Sequence, residues 1–590
     1  MDTLKIFVSF FLIFNLVLSD SLSSSSSAGI NLLPYDFIIV GSGVSGSIVA
    51  YRLAQKGYSV LIMEGGGKSI AALGGIDYIG TKGTLNSDNV YTPQRPLTKY
   101  DVPFFFQSAD INGNRWDIPN TNVAKMIGGS GLHNAMVYQR GIDSDYDWNI
   151  TNWNFVDLKP YFLKVEKILD SNLQSSPDHG HDGFIKVKSI PFDKEGNDYI
   201  KSCNASGLNF NNDFQVNART GCGFFQLNID ANGERSSTAH EYLTRAVAMP
   251  KVKLIDSATV TRIKWTFNIF TGKNEAIGIE YVTDDAPNTL KTLYCNKEVI
   301  LAAGTLNTPK ILFNSGIGDA NVLTQSKYSN FIQPIKHLPG VGQNLQNHFI
   351  VFNVWTYADS SSRPDFYTNY NVNLQYQTQG TGILSTPGFS VGAWLKPNTS
   401  ASSNPADAIM TIFPGALGST LPGMMTFAVS LCQPTPNPIN KVSLPINVTG
   451  LSAIQFYKKG VDVSFNPAAV NADVAKLVSS IQESRRIMSY PPMSQLSIPV
   501  LPDASIETDL QLESFVRNNI VPHDHWIGTA KMGSSSDPLA VVDTNIKVIG
   551  VNRVRIVDAS ILPKIPHGLL QATVMAVAEK CADTILNDYF

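Results

Sequence analysis

Residues 522–533, PHDHWIGTAKMG, place two histidines one residue apart in front of a tryptophan and a Gly-Thr turn. His523 and His525 could bind a metal, supply a base, or simply belong to the surface. A metal would need a third ligand, and neither the neighbouring residues nor any Cys-x-x-Cys spacing provides one, so no metal site is predicted. A histidine titrates near working pH and therefore suits proton transfer, while a structural role is the alternative. Asp524 is predicted to be solvated.

Residues 35–66, YDFIIVGSGVSGSIVAYRLAQKGYSVLIMEGG, predict a strand, a helix and a second strand from their apolar patterns. At the first turn, Gly41, Gly43 and Gly46 form G-x-G-x-x-G. These glycines allow the turn, the approach of a pyrophosphate and close helix packing, and the helix N-terminus favours phosphates. Glu64, 18 residues after Gly46, is placed to bond a ribose hydroxyl. The unit predicts a dinucleotide site.

Later segments predict a return to the same domain. Residues 297–318 read as a buried strand, a glycine turn and a helix, and residues 552–563 contain a strand that ends in Asp558. Residues 569–586 predict an amphipathic helix. Between about 319 and 521 the chain is rich in Asn, Ser, Thr and Pro, and runs such as YTNYNVNLQYQTQ predict short alternating strands of a second domain.

The overall composition predicts a large globular protein. A chain of 590 residues can bury a deep site within more than one domain. Its net charge is −3 and no basic run occurs, so neither nucleic acid nor an anionic membrane surface is an expected partner.

The first residues predict a secretory signal peptide. The apolar run at 6–18 follows Lys5 and precedes a serine-rich stretch, and it is short of the roughly 20 residues that span a membrane. An uncleaved anchor is the alternative. Four sequons are potential glycan sites in an exported chain; they begin at Asn149, Asn204, Asn398 and Asn447.

The cysteine pattern excludes a disulfide scaffold and an iron-sulfur or zinc site. The chain has five cysteines without Cys-x-x-Cys spacing. One disulfide could form, and Cys203 and Cys222 are the nearest pair in sequence.

Six motifs lie in order along nearly the whole chain after its first 30 residues. They are VGSGVSG with Glu64, AKMIGGSGLHNAMVYQRG (124–141), GERSSTAHEYL (233–243), AAGTLNTPKILFNSGIG (302–318), LPGVGQNLQNH (338–348), and HWIGTAKMG with the Asp558 strand and the final helix. By these motifs the chain resembles the glucose-methanol-choline (GMC) family of FAD-dependent oxidoreductases. Its closing stretch is most similar to the flavin domain of cellobiose dehydrogenases, although the chain has no room for their haem-binding domain.

The resemblance implies an α/β fold with FAD as cofactor. A Rossmann-like FAD-binding domain would be interleaved with a sheet-based α+β substrate domain. The expected boundaries are a signal peptide and serine-rich start at 1–27, the FAD-binding region at 28–318, mainly the substrate domain at 319–521, and a return to the FAD domain with the histidine segment at 522–590.

The resemblance also implies which residues hold the cofactor. Gly129, Ser130 and Asn134 would lie near the isoalloxazine, Val260 near the adenine, Asp558 with Ala559 near the diphosphate and ribityl chain, and Trp526 beside the cofactor. Gly-Gly-Ser offers unhindered amides, and the N-terminus of the last helix favours a reduced, anionic flavin. His133 matches the histidine that bonds covalently to the flavin in choline oxidases; a covalent link and a non-bonding histidine both stay open.

The family's catalytic histidine corresponds to His525, which is therefore the predicted base. The family's second His or Asn corresponds to Leu569, which can neither donate nor accept a hydrogen bond. Either His567 reaches in from a shifted loop, or one histidine suffices, or alcohol oxidation is lost. His523 is predicted to be a wall or supporting residue.

The expected function is that of a secreted FAD-dependent oxidoreductase. It would oxidise a CH–OH group of a small alcohol or sugar by hydride transfer to flavin, with oxygen or a quinone-like acceptor taking the electrons. A hydroxynitrile lyase that keeps FAD without net redox and a flavin-binding protein without turnover are the alternatives. The sequence does not name the substrate.

Overall fold

Continuous and alternating apolar runs form two seven-stranded β-sheets with helices packed on them. The computed structural model describes residues 34–87, 90–106, 113–191, 194–216, 219–357, 370–388, 390–396, 407–414, 424–431, 434–534 and 536–589. From Tyr35 onward the chain forms one compact unit.

The strands follow one another in chain order. They are β1 (Tyr35–Val40), β2 (Val60–Met63), β3 (Tyr78–Leu85), β4 (Tyr91–Thr98), β5 (Glu166–Ile168), β6 (Ile185–Ser189), β7 (Gly221–Phe224), β8 (Gln226–Leu227), β9 (Val252–Ile255), β10 (Ala258–Asn268), β11 (Lys273–Thr283), β12 (Ala286–Leu301), β13 (Ile317–Gly318), β14 (Lys336–His337), β15 (Phe349–Tyr357), β16 (Val391–Leu395), β17 (Ala408–Pro414), β18 (Met424–Leu431), β19 (Lys441–Ser443), β20 (Asp462–Ser464), β21 (Ser497–Leu501), β22 (Val521–Pro522) and β23 (Val554–Ile556).

The α-helices of the described residues range from one to five turns. They are α1 (Val44–Gln55), α2 (Phe155–Val165), α3 (Lys194–Ala205), α4 (Thr244–Val247), α5 (Asn307–Asn314), α6 (Ala320–Leu323), α7 (Tyr370–Gln379), α8 (Ala453–Lys458), α9 (Asn471–Met488), α10 (Met493–Leu496), α11 (Asp509–Asn519) and α12 (Leu570–Asn587).

The first sheet has the order β10-β11-β12-β1-β2-β9, with β23 beside β12. Strands β12, β1, β2, β9 and β23 run parallel, and the last four residues of β1 are buried, as expected for a strand covered on both faces. The predicted strand-helix-strand unit is present as β1, α1 and β2, and the strand, turn and helix of residues 297–318 are present as β12 and α5.

The turn between β1 and α1 requires glycine at two positions. Gly41 has φ +105°, and a Cβ on it would lie 2.3 Å from the Ala302 carbonyl oxygen. A Cβ on Gly46 would lie 2.0 Å from the Gly41 carbonyl oxygen. Both contacts are far below van der Waals distance, so these two glycines let the helix start directly against the sheet.

The second sheet is antiparallel, with the order β21-β15-β18-β17-β16-β7 and with β22 beside β15. Helices α9 and α11 cover one of its faces. Strand β15 alternates between the two faces: Phe349 and Val351 point into the core under these helices, and Ile350 and Phe352 point to the opposite side.

Strand β7 lies within the region 28–318 but forms the edge of the second sheet by pairing with β16, so the chain crosses between the two sheets. One prediction of secondary structure is wrong. The run YTNYNVNLQYQTQ does not form strands, because Tyr370–Gln379 is helix α7. Tertiary packing overrides the local pattern there: α7 packs on β3, and the Lys82 ammonium donates to the Tyr376 carbonyl.

Several predictions concern the chain termini, glycans and thiols. The predicted signal peptide, Asn398 and Cys432 lie outside the described residues. The sequon asparagines Asn149, Asn204 and Asn447 are exposed. Cys203 and Cys222 are buried in mutual contact with both thiols free. None of the helices in the described part of the chain is long and apolar enough to cross a membrane.

The closing helix α12 is fixed to the rest of the fold by a buried carboxylate. The Arg52 guanidinium on α1 donates to both oxygens of Glu579, at 2.7–3.1 Å. Lys164 on α2 lies 3.1 Å from the same group, and the Tyr242 hydroxyl donates to it at 2.8 Å. Because the Glu579 side chain is fully buried, its charge depends on these partners.

Replacing Glu579 with Ala is expected to lower the free energy of unfolding by about 3–5 kcal/mol, because Arg52 would keep a largely buried charge without its partner. Urea unfolding measures the loss. The control is Glu513→Ala, which breaks the exposed pair with Arg517 on α11 and should cost less than about 1 kcal/mol. Equal losses in the two variants would contradict the role given to Glu579.

A second buried charge cluster surrounds His179. Its Nδ1 lies 2.6 Å from Glu166 and its Nε2 lies 3.2 Å from Asp213. Burial opposes the protonated ring, but the two carboxylates outweigh burial and raise the pKa of His179 to about 9. The ring is therefore a cation in the folded protein at neutral pH.

This cluster makes stability depend on pH. The contribution of His179 is fully present below its unfolded pKa of about 6.5 and is lost as the pH rises through about 9. We expect the free energy of unfolding to fall across this window, by about 3 kcal/mol at most since one pKa unit corresponds to about 1.4 kcal/mol. Urea unfolding across this pH range measures the fall, and a His179→Gln variant should show a flatter profile. An identical slope in both proteins would refute the assignment.

Candidate active site

A cavity of about 1040 Å³ extends from the first sheet to the second. It begins where β1 and β2 end, at Val40 and Met63, and it reaches Ile350 and Phe352 on β15. The carboxyl ends of parallel strands are the usual place for a ligand in such sheets.

The turn at the start of α1 forms an open surface in this cavity. A Cβ added to Gly43 would meet no atom within 4 Å. On the other side of the turn, Gly129 packs closely, because a Cβ added to Gly129 would lie 3.1 Å from the Gly43 Cα. The N-terminus of α1 has no side-chain cap, so its amides remain available to an anion.

Two buried carboxylates border the cavity and hold the loops around it. Glu64 accepts hydrogen bonds from the Ser42 amide and hydroxyl and from the Gly66 amide, at 2.7–3.0 Å. Asp558 accepts from the Gly304 amide at 2.9 Å and from the Thr308 hydroxyl at 2.6 Å. Burial raises the pKa of both groups, and the hydrogen bonds oppose that rise.

Most of the predicted site residues line this one cavity. They are Gly41, Gly43, Glu64, Gly129, Ser130, His133, Asn134, Val260, His525, Trp526, Asp558 and Ala559. Gly46 does not line it and instead packs against Gly41, in the helix-packing role predicted for it. His567 does not line it either.

Three side chains of the cavity present polar atoms that lack a partner among the described residues. They are Nε2 of His133, Nδ2 of Asn307 and Nε2 of Gln571, and all three are buried. Buried polar atoms are normally paired, so these atoms fit a polar ligand in the cavity. Burial and the nearby Arg235 lower the pKa of His133 to about 4, so its ring is neutral.

The ring of His525 is oriented by a second histidine. His525 Nδ1 lies 2.9 Å from His348 Nδ1, and His348 Nε2 lies 2.8 Å from the Pro566 carbonyl oxygen. A carbonyl only accepts, so His348 donates through Nε2, and the Nδ1 of a neutral His348 accepts from His525. His525 therefore carries its proton on Nδ1, and Nε2 is the unprotonated nitrogen available to the cavity.

The surroundings keep His525 and His523 neutral. Burial lowers the pKa of His525 well below its usual range, and the adjacent His523 and His348 lower it further. Burial and His348 lower the pKa of His523 to about 3. The ring centroids of His523 and His525 are 4.2 Å apart, and both rings line the cavity, as expected for a wall residue beside a base.

Asp524 is only partly exposed, whereas the sequence predicted a solvated side chain. Its carboxylate accepts from the Trp526 indole at 3.0 Å and from the Asn122 amide and side chain at 3.2–3.3 Å. Its φ of +56° turns the backbone between the two histidines. The residue thus braces the histidine segment while itself lining the cavity.

The geometry contradicts the interpretation in which His567 replaces the missing partner. Its Nδ1 lies 2.5 Å from Asp145 and its Nε2 lies 3.4 Å from Asp407, and the side chain is fully buried. Burial alone would lower its pKa, but the two carboxylates raise it. Leu569 itself lines the cavity at the N-terminus of α12, so an apolar group stands at the position that the family resemblance assigns to a second His or Asn.

Sequence reasoning missed His348 and Gln571. His348 closes the motif LPGVGQNLQNH, but it lies 177 residues before His525, and no local pattern links the two. Gln571 accepts from the Asn134 side chain at 2.5 Å from the first turn of α12. The only signal for it was its position beside Leu569.

Comparison with known proteins identifies the family. GMC oxidoreductase models match residues 35–350 and 458–578. The chain is 28% identical over 567 residues to an oxygen-dependent choline dehydrogenase of Vibrio vulnificus, covering 94% of each protein. The likeness of the closing stretch to cellobiose dehydrogenases stays a prediction.

Solved structures share the fold. An FAD-dependent oxidoreductase from Chaetomium thermophilum superposes with a TM-score of 0.77 at 23% identity, covering 94% of this chain and 99% of that one. A fungal aryl-alcohol oxidase gives a TM-score of 0.74 at 19% identity, with coverage of 94% and 99%. The chain therefore belongs to the GMC oxidoreductase family, and its cofactor is FAD.

Proposed function

We propose that this oxidoreductase acts on the CH–OH group of a small alcohol, with His525 as the base that accepts the hydroxyl proton. One observation carries the proposal: His525 Nδ1 lies against the Nδ1 of His348, whose Nε2 donates to the Pro566 carbonyl, and this favours the tautomer of His525 in which Nε2 is the acceptor at the cavity. A base must lie within hydrogen-bond reach of the proton that it removes, and Nε2 is so placed for a hydroxyl in this part of the cavity.

The cofactor would occupy the cavity along its length. The Gly41–Gly43 turn, the amides of α1 and Glu64 would hold the dinucleotide half, and Val260 would contact the adenine. Asp558 and Ala559 would lie along the diphosphate and ribityl chain. Gly129, Ser130, His133, Asn134 and Trp526 would surround the flavin, which supplies a two-electron acceptor when bound. The unpaired nitrogens of His133 and Gln571 would then gain polar partners.

The protein's own groups can complete proton removal with one histidine. His525 is neutral at working pH, so Nε2 needs no prior deprotonation. Once Nε2 accepts the proton, the ring is a cation whose Nδ1–H still donates to His348, and that ring in turn donates to the Pro566 carbonyl. Leu569 adds no proton acceptor. The structure thus supports the single-histidine interpretation.

The electron acceptor is proposed from a relative. The choline dehydrogenase of similar sequence is named oxygen-dependent, so we propose oxygen as the acceptor, with a quinone-like compound as the alternative. Admitting air to the alcohol-reduced enzyme should restore the oxidised flavin spectrum. A spectrum that recovers only after a quinone is added would replace oxygen by the alternative.

Changing His525 to Ala should slow flavin reduction by an alcohol about 10²–10⁴-fold, because the hydroxyl proton loses its acceptor. Anaerobic stopped-flow bleaching of the flavin measures this rate. The control is His337→Ala, which removes an exposed histidine on β14 and should leave the rate unchanged.

The rate of flavin bleaching in the wild-type enzyme should stay constant at neutral pH. It should decline only in acid, below the ordinary histidine pKa, because burial lowers the pKa of His525.

Bleaching of the His525→Ala variant at the wild-type rate would refute the base assignment. Cyanide release from a cyanohydrin without bleaching would instead indicate the lyase alternative. A broad alcohol panel that produces neither result would indicate a flavin-binding protein without turnover.

Changing Gly43 to Ala should weaken FAD binding about tenfold or more, because the added methyl group would stand in the space left open for the pyrophosphate. The apoprotein should keep its unfolding temperature, since the methyl meets no protein atom. Flavin absorbance per protein and thermal unfolding measure the two quantities. Gly46→Ala is the contrast: its Cβ would clash with Gly41 and should destabilise the apoprotein itself. Full FAD content in Gly43→Ala would contradict the placement.

We also propose that the chain is exported. The apolar run near its start and the exposure of Asn149, Asn204 and Asn447 support this localisation. When expressed in eukaryotic cells, the full chain should be recovered from the medium and lose mass on glycosidase treatment, whereas a chain lacking residues 1–27 should stay inside. Equal retention of both chains would contradict export.

A further inference from the structure

The cavity in front of His525 is bordered by one continuous apolar surface. This apolar wall consists of Phe106, Met136, Val137, Ile350, Phe352 and Leu569. All six side chains belong to a single cluster that also contains the buried Phe225 and Trp394. The wall is therefore the cavity-facing side of a packed core, and its shape is fixed by that core.

The charged residues of the cavity lie elsewhere and already have partners. Glu64 and Asp558 bind the glycine turns of the first sheet, and Asp524 binds Asn122 and Trp526. The Lys310 ammonium donates to the Lys458 carbonyl at 2.9 Å. Among the described cavity residues, no charged side chain faces the apolar wall without such a partner.

From this wall we infer the class of substrate, an inference that rests on the proposed function. We propose that the substrate is an uncharged alcohol with one hydroxyl and an aromatic or branched alkyl body. The hydroxyl would face Nε2 of His525, and the body would lie against Phe352, Ile350 and Phe106. Burial of such a body removes apolar surface from water on both sides of the contact.

A quaternary ammonium alcohol fits this wall poorly. Two phenylalanines can attract a cation, but a buried cation also needs a counter-ion to offset the loss of water. Burial lowers the pKa of the neighbouring His523 and His525, which agrees with a cavity that solvates a cation poorly.

A sugar fits poorly for a different reason. Its several hydroxyls would each need a hydrogen-bond partner once buried. Near the wall, the described polar side chains are few: His133, Asn134, Gln571, His523 and His525. Asn134 is already bonded to Gln571, Arg235 and the Met136 amide, and the unpaired nitrogens of His133 and Gln571 cannot serve all the hydroxyls of a sugar.

The test compares three probes on the holoenzyme: benzyl alcohol, choline and glucose. Each is mixed anaerobically with the protein, and the rate and half-saturation of flavin bleaching are recorded. We expect the ratio of rate to half-saturation for benzyl alcohol to exceed that for choline and glucose by about a hundredfold or more. A higher ratio for choline or glucose would overturn the inference but leave the proposed function intact.

Variants of the wall test the same point. Phe352→Ser should raise the half-saturation for benzyl alcohol about 10- to 100-fold without loss of FAD. The matched control is Val156→Ser, which replaces an apolar residue that is 78% exposed on α2 and outside the cavity; it should leave the half-saturation unchanged.

If Phe352→Ser fails to retain FAD, Ile350→Ser serves in its place. An unchanged half-saturation in a variant that retains FAD would overturn the inference. No bleaching of the wild type by any alcohol would overturn the proposed function and the inference with it.

Discussion

The contact between Arg52 and Glu579 fixes the geometry on which the site depends. Arg52 lies near the end of α1, and Glu579 lies in the middle of α12. Each helix has its N-terminus in the cavity: Gly43 and Ser45 at the start of α1, and Leu569 and Gln571 at the start of α12. The ion pair lies about ten residues from the N-terminus of each helix. Because an α-helix is stiff and rises 1.5 Å per residue, the ion pair fixes the distance between the N-terminal amides of α1 and those of α12.

This arrangement brings the N-termini of the first and the last long helix of the described chain to one cavity. The first strand-helix unit and the last helix each supply part of its lining, and the segments between them supply the rest. Both helix ends carry positive partial charge, which suits a diphosphate at one end and a reduced flavin at the other. A buried ion pair contributes little net stability when compared with apolar packing, so its main effect here is to set position.

Sequence analysis predicted the parts of the fold that depend on local pattern. The β1–α1–β2 unit, the roles of Gly41 and Gly46, and α12 follow from apolar spacing and from the space that a Cβ would need. The parts that depend on distant contacts were wrong or missed. Helix α7 forms against β3, and Asp524 is hydrogen-bonded to Asn122 and to the Trp526 indole. His348 was quoted within a motif, but only the structure places it against His525.

Strand β15 separates two tasks along one stretch of backbone. Its odd-numbered residues Phe349 and Val351 stabilise the second sheet under its helices, and its even-numbered residues Ile350 and Phe352 meet the cavity. Mutations at even positions can therefore change what the cavity accepts while the odd positions keep the sheet intact. Such a division allows ligand preference to change during evolution. Homologues with one architecture can then differ in the ligands that they bind while the core under the helices stays the same.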